Sequence, residues 1–510
     1  MKPSIGIIYC LCLFVLLSHP TARSFGGVPN ILMIVSEDHS PQMGCYGDKI
    51  ARTPHLDKLA SEGVLFQRAF VPYSVCSPSR AAFLTGLYPH QNGQFGLAGY
   101  GYAFYDDHQP SIYSRLKAVG YRTGMIGKLH VVPESAIPID WRAIPESNFT
   151  HRNMAEYSEA ATEFLNQGDQ PFFLSVNFPD AHLPFIDEQF GSPANKLTAD
   201  DVVPLPWVGV DSSRLRQTTA QYYNCLSRLD DGVGMLLEAL QKSGKSDNTI
   251  VVFFSDHGAQ FARGKYSAHE GGLRVPMLIR WPGKAKPGLV RNELVSTIDL
   301  VPTFLNAAGV EPQSELPGIS LLSLLQPGKT TWREYTFAFS TGALPELCHV
   351  QWSVRGERYK LILNLTPDLE NPVSWTQIGV KPSMLESYLT ADEHALASPQ
   401  VKAAFDRYQH PPKIQLYDLQ EDPNEWMNLA SQPEYLELEN RLLEVLKEFR
   451  EQTYDPFLDK KNLARFQSEQ TGPESKRCRE PNFRWPYADE FAKWRKNANS
   501  HIRTLDSGSD

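Results

Sequence analysis

Short apolar runs, almost free of polar residues, recur along the chain and end where charged or polar residues begin. Clear examples are residues 29–35, 171–178 and 248–254. Each run has the length of one strand, and apolar runs without a polar face are typical of parallel strands that helices cover on both sides. The pattern therefore predicts strands at the centre of a layered α/β domain.

Between these runs, apolar residues recur at the spacing expected of helices that bury one face. Several of the helical patterns end at a glycine, as helices commonly do. Alternation of strands and helices indicates an α/β sandwich around a large, mostly parallel central sheet. The predicted helices cover residues 53–63, 111–120, 155–167, 214–244 and 296–309.

After residue 340 the pattern changes to short strands followed by a helix at 434–449. This order predicts a smaller C-terminal α+β subdomain over 341–458, with an antiparallel sheet backed by that helix. Residues 459–510 carry many charges with interspersed aromatic residues, and we expect an extension that wraps over the surface rather than a binding module. The short strand patterns cover residues 334–340, 351–355 and 359–364.

The amino terminus resembles a signal for export. Lys2 precedes an apolar run from Ile5 to Leu17, which is followed by small residues up to Arg23. A basic start, a short apolar centre and a small-residue exit predict a signal peptide over 1–23, and the run is too short to span a membrane. We therefore expect an exported protein without a stable membrane span, periplasmic, extracellular or lysosomal depending on its source.

Charge and cysteine content argue against two classes of protein, those that bind nucleic acid non-specifically and those held together by disulfides. The 510-residue chain has a formal net charge of −9, which argues against non-specific binding to nucleic acid. Without the predicted signal peptide an odd number of cysteines is left, so at least one lacks an intramolecular partner. Stability should therefore come from ordinary cores rather than a disulfide framework. The remaining cysteines are Cys45, Cys76, Cys225, Cys348 and Cys478.

Acidic residues follow two of the predicted strands. Glu37 and Asp38 come after the first strand, and Asp256 and His257 come after the strand at 248–254. Either pair alone would suit a solvated turn equally well, but two such strand ends can surround one cation. Carboxylate oxygens favour a hard divalent ion such as calcium or magnesium. We interpret the four residues as candidate metal ligands.

The stretch from Cys76 to Arg80 joins a thiol, a proline, hydroxyl groups and a guanidinium at the predicted start of a helix. A helix amino terminus together with an arginine suits an oxyanion such as sulfate, phosphate or carboxylate. A buried small residue followed by a helix cap is the simpler alternative. The spacing of only three residues between the cysteine and the arginine excludes the tyrosine phosphatase loop.

The string Cys-x-Pro-Ser-Arg at 76–80, followed by Ala-Ala-Phe-Leu-Thr-Gly at 81–86, resembles the signature of the formylglycine-dependent sulfatases. The resemblance implies an alkaline-phosphatase-like catalytic domain over about residues 27–340. It also implies that a formylglycine-generating or equivalent maturation enzyme oxidises Cys76 to an aldehyde, whose hydrate supplies the nucleophilic oxygen. One divalent cation, with calcium preferred, would lie beside it.

Further motifs carry the resemblance along the chain. Gly-Lys-x-His places Lys128 and His130 in the site, and the block Gly-Lys…Glu-Gly-Gly-x-Arg-Val-Pro adds Lys265. The resemblance implies that the lysines bind the sulfate group and that His182 assists the leaving group. The implied catalytic residues are Cys76, Arg80, Lys128, His130, His182 and Lys265, and the implied metal ligands are Glu37, Asp38, Cys76, Asp256 and His257.

Two positions depart from the family pattern. Glu37 stands where an aspartate is common, and its longer side chain changes the reach of the carboxylate. His257 stands where an asparagine is common, and it either ligates the metal or meets the sulfate.

Residues 85–97 resemble the corresponding stretch of the heparan N-sulfatase (N-sulfoglucosamine sulfohydrolase) branch of the sulfatase family. We expect a sulfated carbohydrate as the substrate, with sulfate ester and sulfamate both open. A phosphate or phosphonate monoester hydrolase of the same fold is one alternative. A glycan-binding homologue without catalytic activity is the other.

Overall fold

The computed structural model describes residues 27–372 and 387–495. The predicted signal peptide, residues 373–386 of the predicted subdomain and residues 496–510 of the predicted extension lie outside these ranges. Within them, no helix has both the length and the apolar character needed to cross a membrane.

Fifteen strands form the sheets of the described chain. They are β1 (Asn30–Ser36), β2 (Val64–Phe66), β3 (Ala69–Phe70), β4 (Arg122–Gly127), β5 (Trp141–Ala143), β6 (Phe172–Asn177), β7 (Thr249–Ser255), β8 (Arg274–Val275), β9 (Met277–Arg280), β10 (Leu289–Arg291), β11 (Val295–Ser296), β12 (Thr336–Ser340), β13 (Gln351–Arg355), β14 (Tyr359–Asn364) and β15 (Ile414–Asp418).

The central sheet has eight strands in the order β10-β2-β9-β7-β1-β6-β4-β5. Only β9 runs antiparallel to its neighbours, β2 and β7, and the other pairings are parallel. A second sheet joins β11, β3 and β8. This architecture confirms the predicted α/β fold with a large, mostly parallel sheet.

Helices accompany the sheets along the described chain. They are α1 (Pro54–Ser61), α2 (Cys76–Thr85), α3 (Pro89–Asn92), α4 (Ile112–Lys117), α5 (Met154–Leu165), α6 (Ser213–Lys242), α7 (Glu270–Leu273), α8 (Leu300–Ala307), α9 (Ala391–Leu396), α10 (Pro399–Gln409), α11 (Leu436–Gln452) and α12 (Lys460–Thr471).

Strand β1 shows why the sequence forms a sandwich. Its side chains alternate between the two faces of the sheet, and both faces are buried. Leu32 and Ile34 share one core with residues of α1, α5 and α6. Ile31 and Met33 share a second core with residues of α2, α4 and α8. Because the run is apolar at every position, it packs against the helices on both faces of the sheet.

The four antiparallel strands β12 to β15 form the predicted smaller sheet. Helix α11 packs on it through Leu442 and Leu446, in a third core that also contains Trp352.

The predicted C-terminal extension contributes to the same third core. Its aromatic side chains Phe466, Trp485, Tyr487 and Phe491 are buried there, and all but Trp485 surround the ring of Phe95. Residues 460–495 of the extension therefore supply part of the hydrophobic interior.

Candidate active site

The parallel register of three central strands creates the site. Ser36 at the end of β1 lies beside Ser255 at the end of β7, and Val35 lies beside Asn177 at the end of β6. Residues that follow these strands must therefore emerge at one edge of the sheet. Glu37 and Asp38 meet Asp256 and His257 at this edge, as their positions after the two strands predicted.

Helix α2 brings Cys76 to the same edge. The Oγ atom of Ser79 donates a hydrogen bond to the backbone carbonyl of Asp256, which holds the first turn of the helix against β7. Val75 precedes the helix in an extended conformation, and Cys76 is its first residue. The thiol is buried, 2% exposed, and faces the acidic residues.

Cys76 lies between two groups of possible metal ligands. One group contains Glu37, Asp38, Cys76 and His182, and the other contains Cys76, Asp256 and His257. Within each group the donor atoms all lie within 4.8 Å of one another. All of these residues are buried except the half-buried His182. The two groups share Cys76 and together supply three carboxylates and two imidazoles, a donor set that fits one divalent cation.

The orientation of His257 bears on its predicted role. Its Nδ1 atom lies 2.9 Å from the carbonyl oxygen of Gly258. Its Nε2 atom lies 3.2 Å from Sγ of Cys76 and 3.1 Å from Oδ1 of Asp38. Burial lowers the pKa of His257, but Asp256 and Asp38 outweigh burial and raise it to about 9. The ring therefore presents Nε2 to the carboxylate cluster.

Arg80 lies among the acidic residues of the site. Its side chain is 1% exposed and donates to Glu37 and to Asp256, the latter at 3.1 Å. Its Nη1 atom also donates to Oδ1 of Asn177 at 2.9 Å and to the carbonyl oxygen of Lys128 at 3.0 Å. The guanidinium thus orients the acidic residues, because it donates hydrogen bonds to two buried carboxylates.

Each of the two predicted lysines pairs with a different acidic residue. Nζ of Lys128 is 2.9 Å from Oε2 of Glu37. Nζ of Lys265 is 3.1 and 3.0 Å from the two carboxylate oxygens of Asp38, and 3.3 Å from Oε1 of Gln260. Both ammonium groups are buried, so their charges act on the site with little screening by water.

The two predicted histidines also border Cys76. Burial, followed by the charge of Lys128, lowers the pKa of His130, whose side chain lies against the thiol. Nδ1 of His182 is 2.6 Å from the carbonyl oxygen of Leu183, which leaves Nε2 on the side of Glu37 and Cys76. All the predicted catalytic and metal-binding residues therefore converge on one site.

The electrostatic field at Cys76 favours negative charge. Burial alone would raise the pKa of the thiol, yet the charges of Lys128, Lys265 and His257 hold the pKa well below its ordinary value. Such a field stabilises any anion that forms at this position, including a deprotonated oxygen.

Some residues of the site were not predicted. The carboxylate of Asp180 is buried between Arg152 and Arg228, at 2.9 and 2.8 Å from the latter. Main-chain hydrogen bonds of 2.9 and 2.7 Å join the peptide groups of Asp180 and Ala181 to Glu37. Asn177 ends a predicted strand and could have been found by the same signal as Asp38.

Comparison with known proteins identifies the class. Residues 29–310 match the sulfatase family, and residues 261–372 match the family described as N-sulphoglucosamine sulphohydrolase, C-terminal. Human N-sulphoglucosamine sulphohydrolase is 31% identical over 464 residues, which cover 84% of this chain and 91% of that protein. The chain belongs to the sulfatase family, whose members are sulfuric ester hydrolases.

Solved structures share the fold. A putative sulfatase from Bacteroides thetaiotaomicron superposes with a TM-score of 0.66 at 21% identity, covering 90% of this chain and 98% of that one. A phosphonate monoester hydrolase of Agrobacterium radiobacter superposes with a TM-score of 0.61 at 20% identity, covering 83% and 96%. These similarities confirm the predicted architecture and say nothing about the substrate.

Proposed function

We propose that this sulfatase removes sulfate from a sulfated carbohydrate, with N-sulfated glucosamine as the first candidate. The observation that carries the proposal is the position of Cys76, whose Sγ atom belongs to both groups of possible metal ligands. The similarity to N-sulphoglucosamine sulphohydrolase over most of both chains supports the choice of substrate. A second family match to the C-terminal part of that enzyme supports it further.

The donor set fits a divalent cation held by Glu37, Asp38, Asp256 and His257, which would release its Nε2 proton when the ion binds. Calcium is our preferred ion, because carboxylate oxygens dominate the set. All three carboxylates also have a lysine or arginine partner, so their negative charge is partly balanced before an ion binds. When bound, the cation would offset the charge of the sulfate group and favour a deprotonated oxygen nucleophile.

Conversion of Cys76 to formylglycine by a maturation enzyme would provide that oxygen as the hydroxyl of a hydrated aldehyde. A thiol cannot perform this role, because it has no second hydroxyl with which to expel the sulfate afterwards. The field of Lys128, Lys265 and His257 at this position is already suited to an anionic oxygen.

The remaining residues would orient the reactants. Lys128 lies beside Glu37 and Lys265 beside Asp38, and both would bind the oxygens of the sulfate group. His182 would donate a proton to the leaving oxygen or nitrogen from Nε2, because its Nδ1 is engaged by Leu183. Arg80 would keep Glu37 and Asp256 in position. Residues 1–23 would direct the protein out of the cytoplasm, so that it meets its substrate in the periplasm, a lysosome or the extracellular space.

Sulfate release from a panel of N-, 2-O- and 6-O-sulfated sugars tests the proposal. We expect turnover of at least one sugar, with the N-sulfated one preferred. Matched phosphate and sulfate esters of one alcohol, assayed in parallel, separate a sulfatase from a phosphate or phosphonate hydrolase of the same fold. Faster turnover of the phosphate ester, or no turnover of any sulfated sugar, would contradict the proposal.

A further inference from the structure

Tyr388 belongs to a C-terminal segment that is anchored beside the active site. The Oγ atom of Ser387 donates a hydrogen bond to the carbonyl oxygen of Gln260. The side chain of Gln260 in turn lies 3.3 Å from Nζ of Lys265. On the other side, Arg214 at the start of α6 donates to the carbonyl oxygen of Tyr388. The backbone of Tyr388 is therefore fixed relative to Lys265.

The hydroxyl of Tyr388 is buried without a partner. The residue is 2% exposed, and no atom of the described residues forms a hydrogen bond with its Oη. Buried polar groups in folded proteins are nearly always hydrogen-bonded, because an unpaired one loses its contacts with water and gains nothing. An unpaired hydroxyl next to an active site is therefore a position where a ligand can supply the missing partner.

Charged and aromatic neighbours define the surroundings of this hydroxyl. Burial raises the pKa of Tyr388 well above its usual range, and Tyr266, Tyr408, Lys265 and Asp38 also act on it. The phenol consequently keeps its proton at physiological pH and remains able to donate a hydrogen bond. The hydrogen bonds of Ser387 and Gln260 place Tyr388 on the Lys265 side of the site.

We propose that the hydroxyl of Tyr388 donates a hydrogen bond to the carbohydrate part of the substrate and so contributes to specificity. The positively charged groups that act on Cys76 are Lys128, Lys265 and His257, and these suit the sulfate group. Tyr388 is linked to Lys265 through the hydrogen bonds of Ser387 and Gln260, and its phenol carries no charge, so its hydroxyl suits a neutral oxygen of the carbohydrate. This inference rests on the proposed function, and it adds a residue that no family motif in the sequence indicated.

Tyr388→Phe tests the inference because it removes a single oxygen and keeps the ring. For the preferred sulfated glucosamine we expect kcat/KM to fall about tenfold, mainly through KM, as expected for one lost hydrogen bond. Inhibition by inorganic sulfate should change by less than about twofold, because this ion lacks the carbohydrate.

Tyr105→Phe is the matched control. Tyr105 also has a hydroxyl without a hydrogen-bond partner in the described residues, but its charged neighbours are Arg495 and Asp455. We expect its kinetics to equal those of the wild type. Thermal unfolding of both variants confirms that they fold.

The outcomes separate the two proposals. An active wild type with unchanged kinetics in Tyr388→Phe would overturn the role of Tyr388 alone. If inhibition by inorganic sulfate weakened by the same factor by which KM rises, the role of Tyr388 would also be overturned, since the hydroxyl would then bind the sulfate group. A wild type that is inactive on every sulfated sugar would overturn the proposed function together with this inference.

Discussion

The ring of Phe149 stacks on the imidazole of His182, with centroids 3.8 Å apart and planes 7° from parallel. The same phenyl ring lies 4.9 Å from Nζ of Lys128. One aromatic side chain therefore contacts two of the residues proposed to act on the substrate. Together with the hydrogen bond of His182 to Leu183, this stacking fixes the plane of the imidazole.

Phe149→Leu should impair turnover without removing any reacting group. Aromatic stacking and a cation–π contact each contribute about 0.5–1.5 kcal/mol, so the loss of both predicts a fall in kcat/KM of roughly tenfold. Steady-state kinetics on a sulfated glucosamine measure the effect. Phe149→Tyr keeps the ring and should retain most of the activity. Equal activity of the Leu and Tyr variants would show that the stacking has no influence.

Asp180→Asn should destabilise the fold. Its carboxylate is the shared partner of Arg152 and Arg228, and all three side chains are buried. Removing one partner of a buried ion pair costs about 3–5 kcal/mol, because the remaining charge is left uncompensated. Urea unfolding gives the change in the free energy of unfolding.

The exposed pair of Lys242 and Glu238 is the control for this experiment. Glu238→Gln should change the free energy of unfolding by no more than about 0.5 kcal/mol, as is usual for surface ion pairs. Similar losses in both variants would contradict a special role for the buried network.

Asp230 should make stability depend on pH. Its carboxylate accepts hydrogen bonds from the main-chain N–H groups of His55 and Leu56 at the start of α1. Burial nevertheless raises the pKa of Asp230 to about 7. The folded state then holds this proton more tightly than the unfolded state does. This contribution to stability is complete below the unfolded pKa and is lost as the pH rises to about 7.

Urea unfolding from pH 4 to pH 8 measures this dependence. Each pKa unit corresponds to about 1.4 kcal/mol, so the wild type should lose a few kcal/mol more than Asp230→Asn over this range. If the free energy of unfolding depended on pH in the same way in both proteins, the raised pKa of Asp230 would be refuted.

The sequence predicted the elements that have a strong local signal. The bounds of β13 and β14 agree with the expected residues 351–355 and 359–364. The strands β3, β8 and β11 have only two residues each, and they pair with chain segments far away in sequence. A two-residue strand has no periodicity of its own, because its stability comes from tertiary contacts.

The residues of the site also divide into those that a local sequence signal predicts and those that depend on tertiary contacts. Glu37, Asp38, Asp256 and His257 follow long apolar strands, so parallel pairing alone brings them together. The hydrogen bonds of Arg80 depend on the positions of Asn177 and the carbonyl oxygen of Lys128, which no single segment encodes. The carboxylates that attract this guanidinium were visible in the sequence, but their distances from it were not.

Calcium should stabilise the metal-free protein against heat. An ion that binds the folded state alone raises the unfolding temperature, in proportion to the logarithm of its concentration above the Kd. Differential scanning fluorimetry with and without calcium measures the shift. Asp256→Asn should reduce this shift strongly, because it removes one of the four proposed ligands.

Asp140→Asn provides a comparison, since Asp140 pairs with Lys117 at the surface. It should leave the calcium-dependent shift unchanged. A shift of the same size in Asp256→Asn would place the ion elsewhere. Chelation should also abolish sulfate release, and added calcium should restore it.

The mass of the peptide that contains Cys76, taken from a fully active preparation, tests the account most directly. The proposed mechanism needs an oxygen nucleophile at this buried position between two groups of acidic and histidine residues. We predict the mass of the aldehyde or its hydrate, and loss of activity in Cys76→Ala with the fold retained. An unmodified thiol throughout the active protein would contradict the proposed mechanism.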